Sequence, residues 1–491
     1  MTGNRPVTGR PRTGRRWTGV PAIFAGIALL GGCATAPETA PGAGSAAITD
    51  RYGMAGETTP ARVLEAGARS KDWWTALGSP QLGEVIRIAL EESPDLAEAR
   101  AVLDRHQAES DAARALLSPR LGLNARTERQ LFNSKGFGFS GFPSRTFSIF
   151  SLGGLVSYDP DVFGVLKGRA AEAGALADKA RWEADAAALT LSANVALEAV
   201  RLAGLNAQIA SAEQVIEDDR KLVDLAFKAE ALGGISRSER VRIEAQLAED
   251  EAGMPDLLRQ RNESRRRLAL LAGREPSQWT PPDFQLSDLS LPAAIPLALP
   301  SELVRSRPDI QAAEADLRAA RLAARATEAD PLPKLNLTGN RAQTANQIED
   351  LSRSDSRGWS LSAGLTATLY DGGLSRANRR AAEAELREAE ARYRSTVLAA
   401  FAQVGDLLSS LEDGEAEVAA YQRAVDSAQQ DAEISLSGVR LGGTPLLRAI
   451  DARRELSLAR RNLAIAEARR LSDAIGLFAA AGADWRSSGD D

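Results

Sequence analysis

The sequence predicts a mainly α-helical chain with a small membrane β part, built from two copies of one plan. Three observations lead to this prediction. Landmarks of the first half return in order in the second half, two long stretches without proline carry helical spacing, and four short segments alternate apolar with polar residues. The 491 residues, 44% of them hydrophobic, are enough to bury a large core.

The N-terminus predicts export and a lipid anchor. An apolar run at 20–30 ends in Leu-Gly-Gly-Cys at 30–33, and it is too short to span a bilayer. Arginines precede the run at positions 5, 10, 12, 15 and 16. LGGC resembles a bacterial lipobox, which predicts a lipoprotein signal peptide at 1–32, lipidation of Cys33 and an N-terminal linker at 33–70. A plain leader with a chance cysteine is the alternative, and the leader leaves Sec or twin-arginine export open.

Composition excludes several classes of function. Cys33 is the only cysteine and His106 the only histidine, so neither a disulfide framework nor a Cys/His metal cluster is expected. The chain has 60 basic against 66 acidic residues, and five of the basic ones lie in the leader, so nucleic acid is not an expected partner. Nucleophile and base pairs, phosphate loops and metal clusters are absent from the sequence pattern. We therefore expect neither an enzyme nor a cofactor.

The chain contains an internal duplication. Its paired landmarks are Pro94-Asp95 and Pro308-Asp309, Tyr158-Asp159 and Tyr370-Asp371, and Gly233-Gly234 and Gly442-Gly443. They are colinear, and their offset drifts only from 214 to 209 residues. This order predicts a first repeat at 71–272, a proline-rich connector at 273–300, a second repeat at 301–478 and a C-terminal tail at 479–491.

Each repeat is expected to run helix, strand, loop, strand, very long helix, Gly-Gly break, helix. No proline falls between Pro160 and Pro255, or between Pro333 and Pro445. A helix from about Leu374 to Gly438 would extend about 90 to 100 Å at 1.5 Å per residue. Such a length indicates a long bundle or tube.

The predicted strands lie at about 120–131, 144–158, 333–342 and 358–370. Their one apolar and one polar face suit a membrane β-barrel, although a half-buried soluble sheet alternates in the same way. Four strands are too few for a barrel, since the smallest membrane barrels have about eight. Closure therefore requires other copies, and the polar inner face favours three copies with space inside over two with a filled interior.

The sequence resembles the TolC-like outer-membrane factor family. The resemblance is strongest to its lipidated, NodT-type branch, which comprises the outer-membrane lipoproteins of tripartite drug efflux pumps. The motifs that carry the resemblance are LGGC at 30–33, DWWTALGSPQL at 72–82, SPDL at 93–96, YDPDVFG at 158–164, SRPDI at 306–310, LYDGG at 369–373 and LGGTPLLRAIDARREL at 441–456. The resemblance implies a homotrimer with a 12-stranded β-barrel, four strands per protomer, continued by a long periplasmic α-helical barrel. It also implies an equatorial region around the helices, expected near 202–220, in the connector at 273–300 and near both termini.

The resemblance also implies where the chain is gated. The turns at Gly233, Gly234, Gly442 and Gly443 would face a periplasmic adaptor protein. Asp451 matches an aspartate of the periplasmic aperture, whereas Arg448 stands at a position that is acidic in some relatives. Arg448 is expected to pair with Asp451 at (i, i+3), within or between chains. Without the family, Asp451 would be a solvated helix residue. Acidic pairs such as Asp218-Asp219 are interpreted as uninformative surface charges.

The predicted function is passive conduction of drugs or other small solutes from an inner-membrane pump, of RND type, and an adaptor to the cell exterior. The predicted location is the outer membrane, with a lipid anchor and a long periplasmic extension. Two alternatives stay open: the outer-membrane channel of a type I protein secretion system, and a structural periplasmic coiled-coil lipoprotein.

Overall fold

The computed structural model describes residues 72–138, 141, 143–291, 304 and 306–481. Chain contacts separate Met1–Ile48 from Thr49–Asp491, and the described residues all belong to the second unit. The helices are α1 Pro80–Glu92, α2 Pro94–Ala115, α3 Val165–Ala231, α4 Arg237–Leu271, α5 Pro308–Ala329, α6 Leu374–Arg440 and α7 Leu446–Ala480. The strands are β1 Arg120–Phe132, β2 Arg145–Tyr158, β3 Lys334–Ala345 and β4 Arg357–Thr366. Short 3-10 helices lie at Trp73–Leu77, Ser134–Phe137, Leu286–Asp288, Ile348–Ser352 and Ser354–Ser356.

The two halves of the fold match each other element by element. Both α2 and α5 have 22 residues, both α3 and α6 have 67, and both α4 and α7 have 35. Each long helix follows a β-hairpin and precedes a glycine-containing turn. The predicted order of elements in each repeat is therefore confirmed.

The four strands form one antiparallel sheet in the order β1-β2-β3-β4. Tyr158 pairs with Leu337 where the two halves meet, while β1 and β4 are the edges. The prediction of a fourth strand reaching residue 370 was wrong at its end. Because Thr366 already pairs with Lys334, the first residue of β3, residues 367–370 have no strand beside them in this chain.

The register gives the sheet two chemically different faces, because directly paired residues point to the same side. One face carries the exposed apolar residues Leu121, Leu123, Leu152, Val156, Leu337, Trp359, Leu361 and Leu365, with Arg129, Arg341 and Gln343 as polar exceptions. The other carries Arg120, Asn124, Arg126, Asn336, Thr338, Asn340, Ser360 and Ser362, with Phe147, Ile149 and Leu155 of β2 as apolar exceptions. The weaker alternation in β2 thus reflects three apolar residues on the polar face.

An aspartate lies shortly before each long helix and accepts hydrogen bonds from amides of its first turn. Asp161 accepts hydrogen bonds from the amides of Leu166 and Lys167, at 2.9 and 2.8 Å. In the second half, Asp371 accepts from the amide of Ser375 at 2.8 Å. These carboxylates satisfy amides that lack partners in the first helical turn, and they suit the positive end of the helix dipole. Each junction from strand to helix is therefore fixed by one short side chain.

The main apolar core lies midway along the long helices. Trp73 packs on Phe478 with ring centroids 5.7 Å apart, and its indole nitrogen donates to Ser192 Oγ at 3.2 Å. The core includes helix α3 from about Ala188 to Ala203 and fully buries Phe284 of the connector. The core residues of α3 therefore lie mostly before the stretch 202–220, which continues as uninterrupted helix.

Among the described residues, α3 alone contains a stretch long and apolar enough to cross a membrane, and 67% of that stretch is buried inside the fold. It therefore behaves as a core helix. Several predicted segments lie outside the described residues: the leader at 1–32, the linker at 33–70 with Cys33, the last part of the connector at 292–300, and the tail from 482 onward.

Candidate functional site

Two helix-to-helix turns with matching geometry form one end of the bundle. Gly233 and Gly442 both have φ of +74°, in the left-handed region that favours glycine. Gly234 N donates to Ala229 O at 2.8 Å, and Gly443 N donates to Gly438 O at 2.9 Å. The glycine pairs noted in the sequence therefore lie at these turns, where backbone conformation requires them.

The first turn is clamped by one arginine. The Arg240 guanidinium of α4 donates to Glu230 of α3 and to Glu244, both at 2.5 Å. It also lies 4.6 Å above the centre of the Phe227 ring. Since Arg240 joins both helices by ionic and cation–π contacts, the α3–α4 hairpin is tied close to its turn.

The second turn, between α6 and α7, is stabilised by a different ion pair. Arg448 of α7 donates to Asp431 of α6 at 2.7 Å, across the turn. The expected (i, i+3) ion pair of Arg448 with Asp451 is therefore not formed within the chain, because Asp431 on the facing helix takes the guanidinium. Asp451 is exposed, and within the described residues no hydrogen bond or ion pair engages its carboxylate.

The start of α7 is anchored to the first hairpin by a small apolar cluster. Leu222 and Ala226 of α3, Ile243 of α4 and Ile450 of α7 are all at most 8% exposed there. Ile450 immediately precedes Asp451. Burial of Ile450 therefore holds the turn of α7 that carries the exposed Asp451 against the α3–α4 hairpin.

A buried polar layer lies next to this cluster, and the interpretation of Asp218 and Asp219 as surface charges was wrong. Both side chains are only 2% exposed, because this face of α3 meets α4 and α7. Asp218 lies 3.5 Å from Arg453 and 3.6 Å from Lys221. One signal was present in the sequence: Asp219, Leu222 and Ala226 follow steps of three and four, so Asp219 occupies the apolar stripe.

Asp219 shares its environment with a second carboxylate. Asp250 of α4 hydrogen-bonds with Asp219 and accepts from Arg454 of α7 at 2.6 Å. Burial, followed by the hydrogen bond to Asp250, raises the pKa of Asp219 to about 7. Asp219 therefore changes its protonation near neutral pH, at the place where α3, α4 and α7 meet.

The described residues contain no group of three His, Cys, Asp or Glu side chains placed to hold a metal ion. The buried carboxylates instead face arginines. The arrangement is suited to holding helices together and to presenting charge at the turns.

Comparison with known proteins identifies the family. A family model described as outer membrane efflux protein matches residues 85–274 and 299–483. The pyoverdine export outer membrane protein OpmQ of Pseudomonas aeruginosa is 29% identical over 472 residues, which cover 95% of this chain and 97% of that protein. Nodulation protein T of Rhizobium leguminosarum bv. trifolii is 26% identical over 439 residues, 89% of this chain and 91% of that protein.

Solved structures confirm the predicted fold. The outer-membrane channel OprN superposes with a TM-score of 0.80 at 24% identity, over 86% of this chain and 94% of that one. The outer membrane protein VceC of Vibrio cholerae gives 0.75 at 24% identity, over 85% and 100%. The TolC-like architecture, mostly helical with four strands per chain, is therefore confirmed. The chain belongs to the outer membrane efflux protein family, and it is a transport protein of the outer membrane rather than an enzyme.

Proposed function

We propose that three copies of the chain form one channel through the outer membrane. One observation carries this proposal: the four-stranded sheet has two unpaired edges and a broad apolar face that is exposed in the single chain. Trp359, Leu361 and Leu365 are 70% to 78% exposed there. A face of this kind on an isolated chain indicates a surface that lipid or another chain covers.

The number of copies follows from the chemistry of the sheet. In hydrocarbon every backbone group needs an internal partner, so β1 and β4 must each pair with a strand from another copy. Two copies would give eight strands around an interior that side chains fill, whereas three give twelve around open space. The polar face carries Arg120, Arg126 and Glu128, which require water. Three copies meet this requirement, with the apolar face toward lipid.

The long helices continue the duct into the periplasm. At about 1.5 Å per residue, the 67 residues of α3 or α6 extend roughly 100 Å. The turns at Gly233, Gly234, Gly442 and Gly443 lie at the far end of these helices, where an adaptor protein would meet them. Three copies of the exposed Asp451 would surround the opening, attracting cations and resisting anions.

The transported compounds are proposed to be drugs or other small solutes, delivered by an RND-type inner-membrane pump and a periplasmic adaptor. Relatives named for efflux support this class, including the toluene efflux pump outer membrane protein TtgF of Pseudomonas putida, 26% identical over 440 residues. The channel itself needs no chemistry, because energy for export comes from the pump.

Deletion of the gene tests the proposed function. We expect increased susceptibility to several drugs, dyes or metals, and recovery when the intact chain is supplied. A chain with Leu361→Pro should not restore resistance, because proline removes a backbone donor from the strand, whereas Leu361→Val keeps that donor and should restore it. Unchanged susceptibility across the panel after deletion would contradict an efflux role.

The lipid anchor is tested separately. Cys33→Ser should abolish incorporation of radioactive palmitate, because the modified thiol is then absent. The matched control Ser45→Ala, in the same N-terminal segment, should still be labelled. Equal labelling of the Cys33→Ser chain would contradict lipidation at this residue.

A further inference from the structure

The duplication allows the contact between two copies to be derived from contacts within one copy. Inside the chain, the first repeat meets the second through β2 against β3 and through α3 against α5 and α7. If six repeats close one ring, each repeat must make the same kind of contact with the next. The second repeat would then offer β4 to β1 of the neighbouring copy, and α6 to its α2 and α4.

The packing of the short helices agrees with this rule. Helix α5 packs against both α3 and α6, whereas α2 packs against α3 and has no comparable contact with a second long helix among the described residues. Ala101, Asp104 and Ala112 lie exposed on α2. One flank of α2 is therefore open where the equivalent flank of α5 is covered.

Equal helix lengths give the correspondence residue by residue. The first residues of α2 and α5, Pro94 and Pro308, differ by 214, and those of α3 and α6, Val165 and Leu374, differ by 209. Each pair of residues between α3 and α5 therefore corresponds to one pair between α6 and α2 of the next copy.

An ion pair between α3 and α5 corresponds to two oppositely charged residues on α6 and on α2 of the next copy, with the signs exchanged. Asp178 and Arg318 lie 3.0 Å apart within the chain. Their counterparts are Arg387 on α6 and Asp104 on α2. Both counterparts are exposed, and within the described residues neither has an ion pair or a hydrogen bond. The two sites have exchanged signs and are still complementary.

A close approach of the α3 and α5 backbones also has a counterpart between α6 and α2 of the next copy. A Cβ atom at Gly168 would lie 3.1 Å from Ala326 Cβ, so α3 and α5 approach closely there. The counterparts are Ala377 and Ala112, both small and both exposed in the single chain. Small side chains at both positions permit the same close approach.

Not every contact is repeated. The ion pair of Lys179 with Asp316, at 2.9 Å, corresponds to Glu388 and Val102, which do not attract each other. Opposite charge at Arg387 and Asp104 is therefore not an automatic consequence of the duplication.

We propose that the seam between neighbouring copies is formed by α6 of one copy and α2 of the next, with Arg387 of the first paired to Asp104 of the second. This inference rests on the proposed trimer, and it names the surface and the partner, a second copy of this chain.

Cross-linking of paired cysteines tests the seam. The chain carrying Asp104→Cys and Arg387→Cys, treated in membranes with a short bismaleimide, should give covalent dimers and trimers. The chain carrying Asp178→Cys and Arg318→Cys is the matched control, since its two sites face each other within one copy and should give only cross-linked monomer. The parent chain, whose sole cysteine is Cys33, should give no cross-linked species.

Native mass spectrometry of the same samples separates the seam from the trimer. Trimers without covalent linkage from the first pair would overturn the seam and leave the proposed channel intact. Monomers throughout would overturn both.

Charge exchange provides a second readout. Asp104→Arg and Arg387→Asp should each lower the temperature at which the trimer dissociates, and the chain with both changes should recover it. No recovery in the doubly changed chain would overturn the ion pair.

Discussion

Asp219 is a carboxyl group in a place where water cannot solvate its charge. It is 2% exposed, shares a hydrogen bond with Asp250, and lies near Arg454, which pairs with Asp250. Burial disfavours the ionised form, and the neighbouring carboxylate disfavours it further. The raised pKa, about 7, therefore makes the contact between α3, α4 and α7 sensitive to pH.

Asp219→Asn should reduce the pH dependence of stability. The folded pKa lies above the unfolded value, 3.8, so between about pH 4 and 7 the folded chain keeps a proton that the unfolded chain has lost. The contribution of Asp219 to the free energy of unfolding is greatest below pH 4. It falls as pH rises toward 7, by at most about 1.4 kcal/mol per pH unit. The charged groups that act on Asp219 are Asp218 on its own helix, Asp250 on α4 and Arg454 on α7.

Denaturant unfolding between pH 4 and 8 measures this effect. The Asp219→Asn chain should show a shallower fall of the unfolding free energy than the parent. Asp413→Asn, at an exposed aspartate of α6 without a partner among the described residues, should leave the slope unchanged. Equal slopes for the parent and the Asp219→Asn chain would contradict a proton held by Asp219.

Asp451→Ala should change conduction. Removing three negative charges from the opening should lower cation selectivity and alter single-channel conductance in planar bilayers. Asp413→Ala, an equal loss of charge at an exposed position on α6, is the control. Unchanged selectivity after Asp451→Ala would remove this residue from the aperture.

Sequence reasoning reached the glycine turns but not the polar layer beside them. Gly233 and Gly442 were identifiable because a left-handed backbone conformation strongly favours glycine. Burial of Asp218 and Asp219 depends on which face of α3 meets two other helices. The pairing of Arg448 with Asp431 spans 17 residues and a turn, so residue spacing alone favoured the nearer Asp451.

At the scale of elements, long helices and strands were predictable because proline positions and period-two alternation are local properties. The end of β4 was not, since it depends on where β3 begins: Lys334 already pairs with Thr366. The second turn shows a similar dependence on a neighbour. A methyl group at Gly438 would lie 2.9 Å from Thr444 Cβ and closer still to the Thr444 hydroxyl.

Gly438→Ala should therefore destabilise the second turn although alanine favours helices. The clash should cost about 1 to 3 kcal/mol, as overpacking does elsewhere. Gly253→Ala is the matched control, because that glycine also lies within a helix and has open space around it, so the change should stabilise by about 0.5 to 1 kcal/mol.

Hydrogen exchange at residues 436–446, together with thermal unfolding, distinguishes the two glycine variants. Faster exchange is expected for Gly438→Ala alone. Equal protection in both variants would show that the Thr444 contact does not restrict the turn.

At the scale of the whole molecule, a single chain leaves three structural features incomplete. Its sheet has two open edges, its apolar strand face is bare, and α2 lacks a second long neighbour among the described helices. Assembly would complete all three at once. The same duplication that made the repeats visible in the sequence also predicts how copies meet, because contacts inside the chain serve as a template for contacts between chains.

Electron cryo-microscopy of the purified protein in lipid nanodiscs tests the central claim most directly. We predict three copies around one axis, with β4 of each copy beside β1 of the next in a closed barrel of twelve strands, and the polar face lining an open lumen. A closed assembly of one or two copies, or a sheet whose Trp359 and Leu361 face lies away from lipid, would contradict the claim.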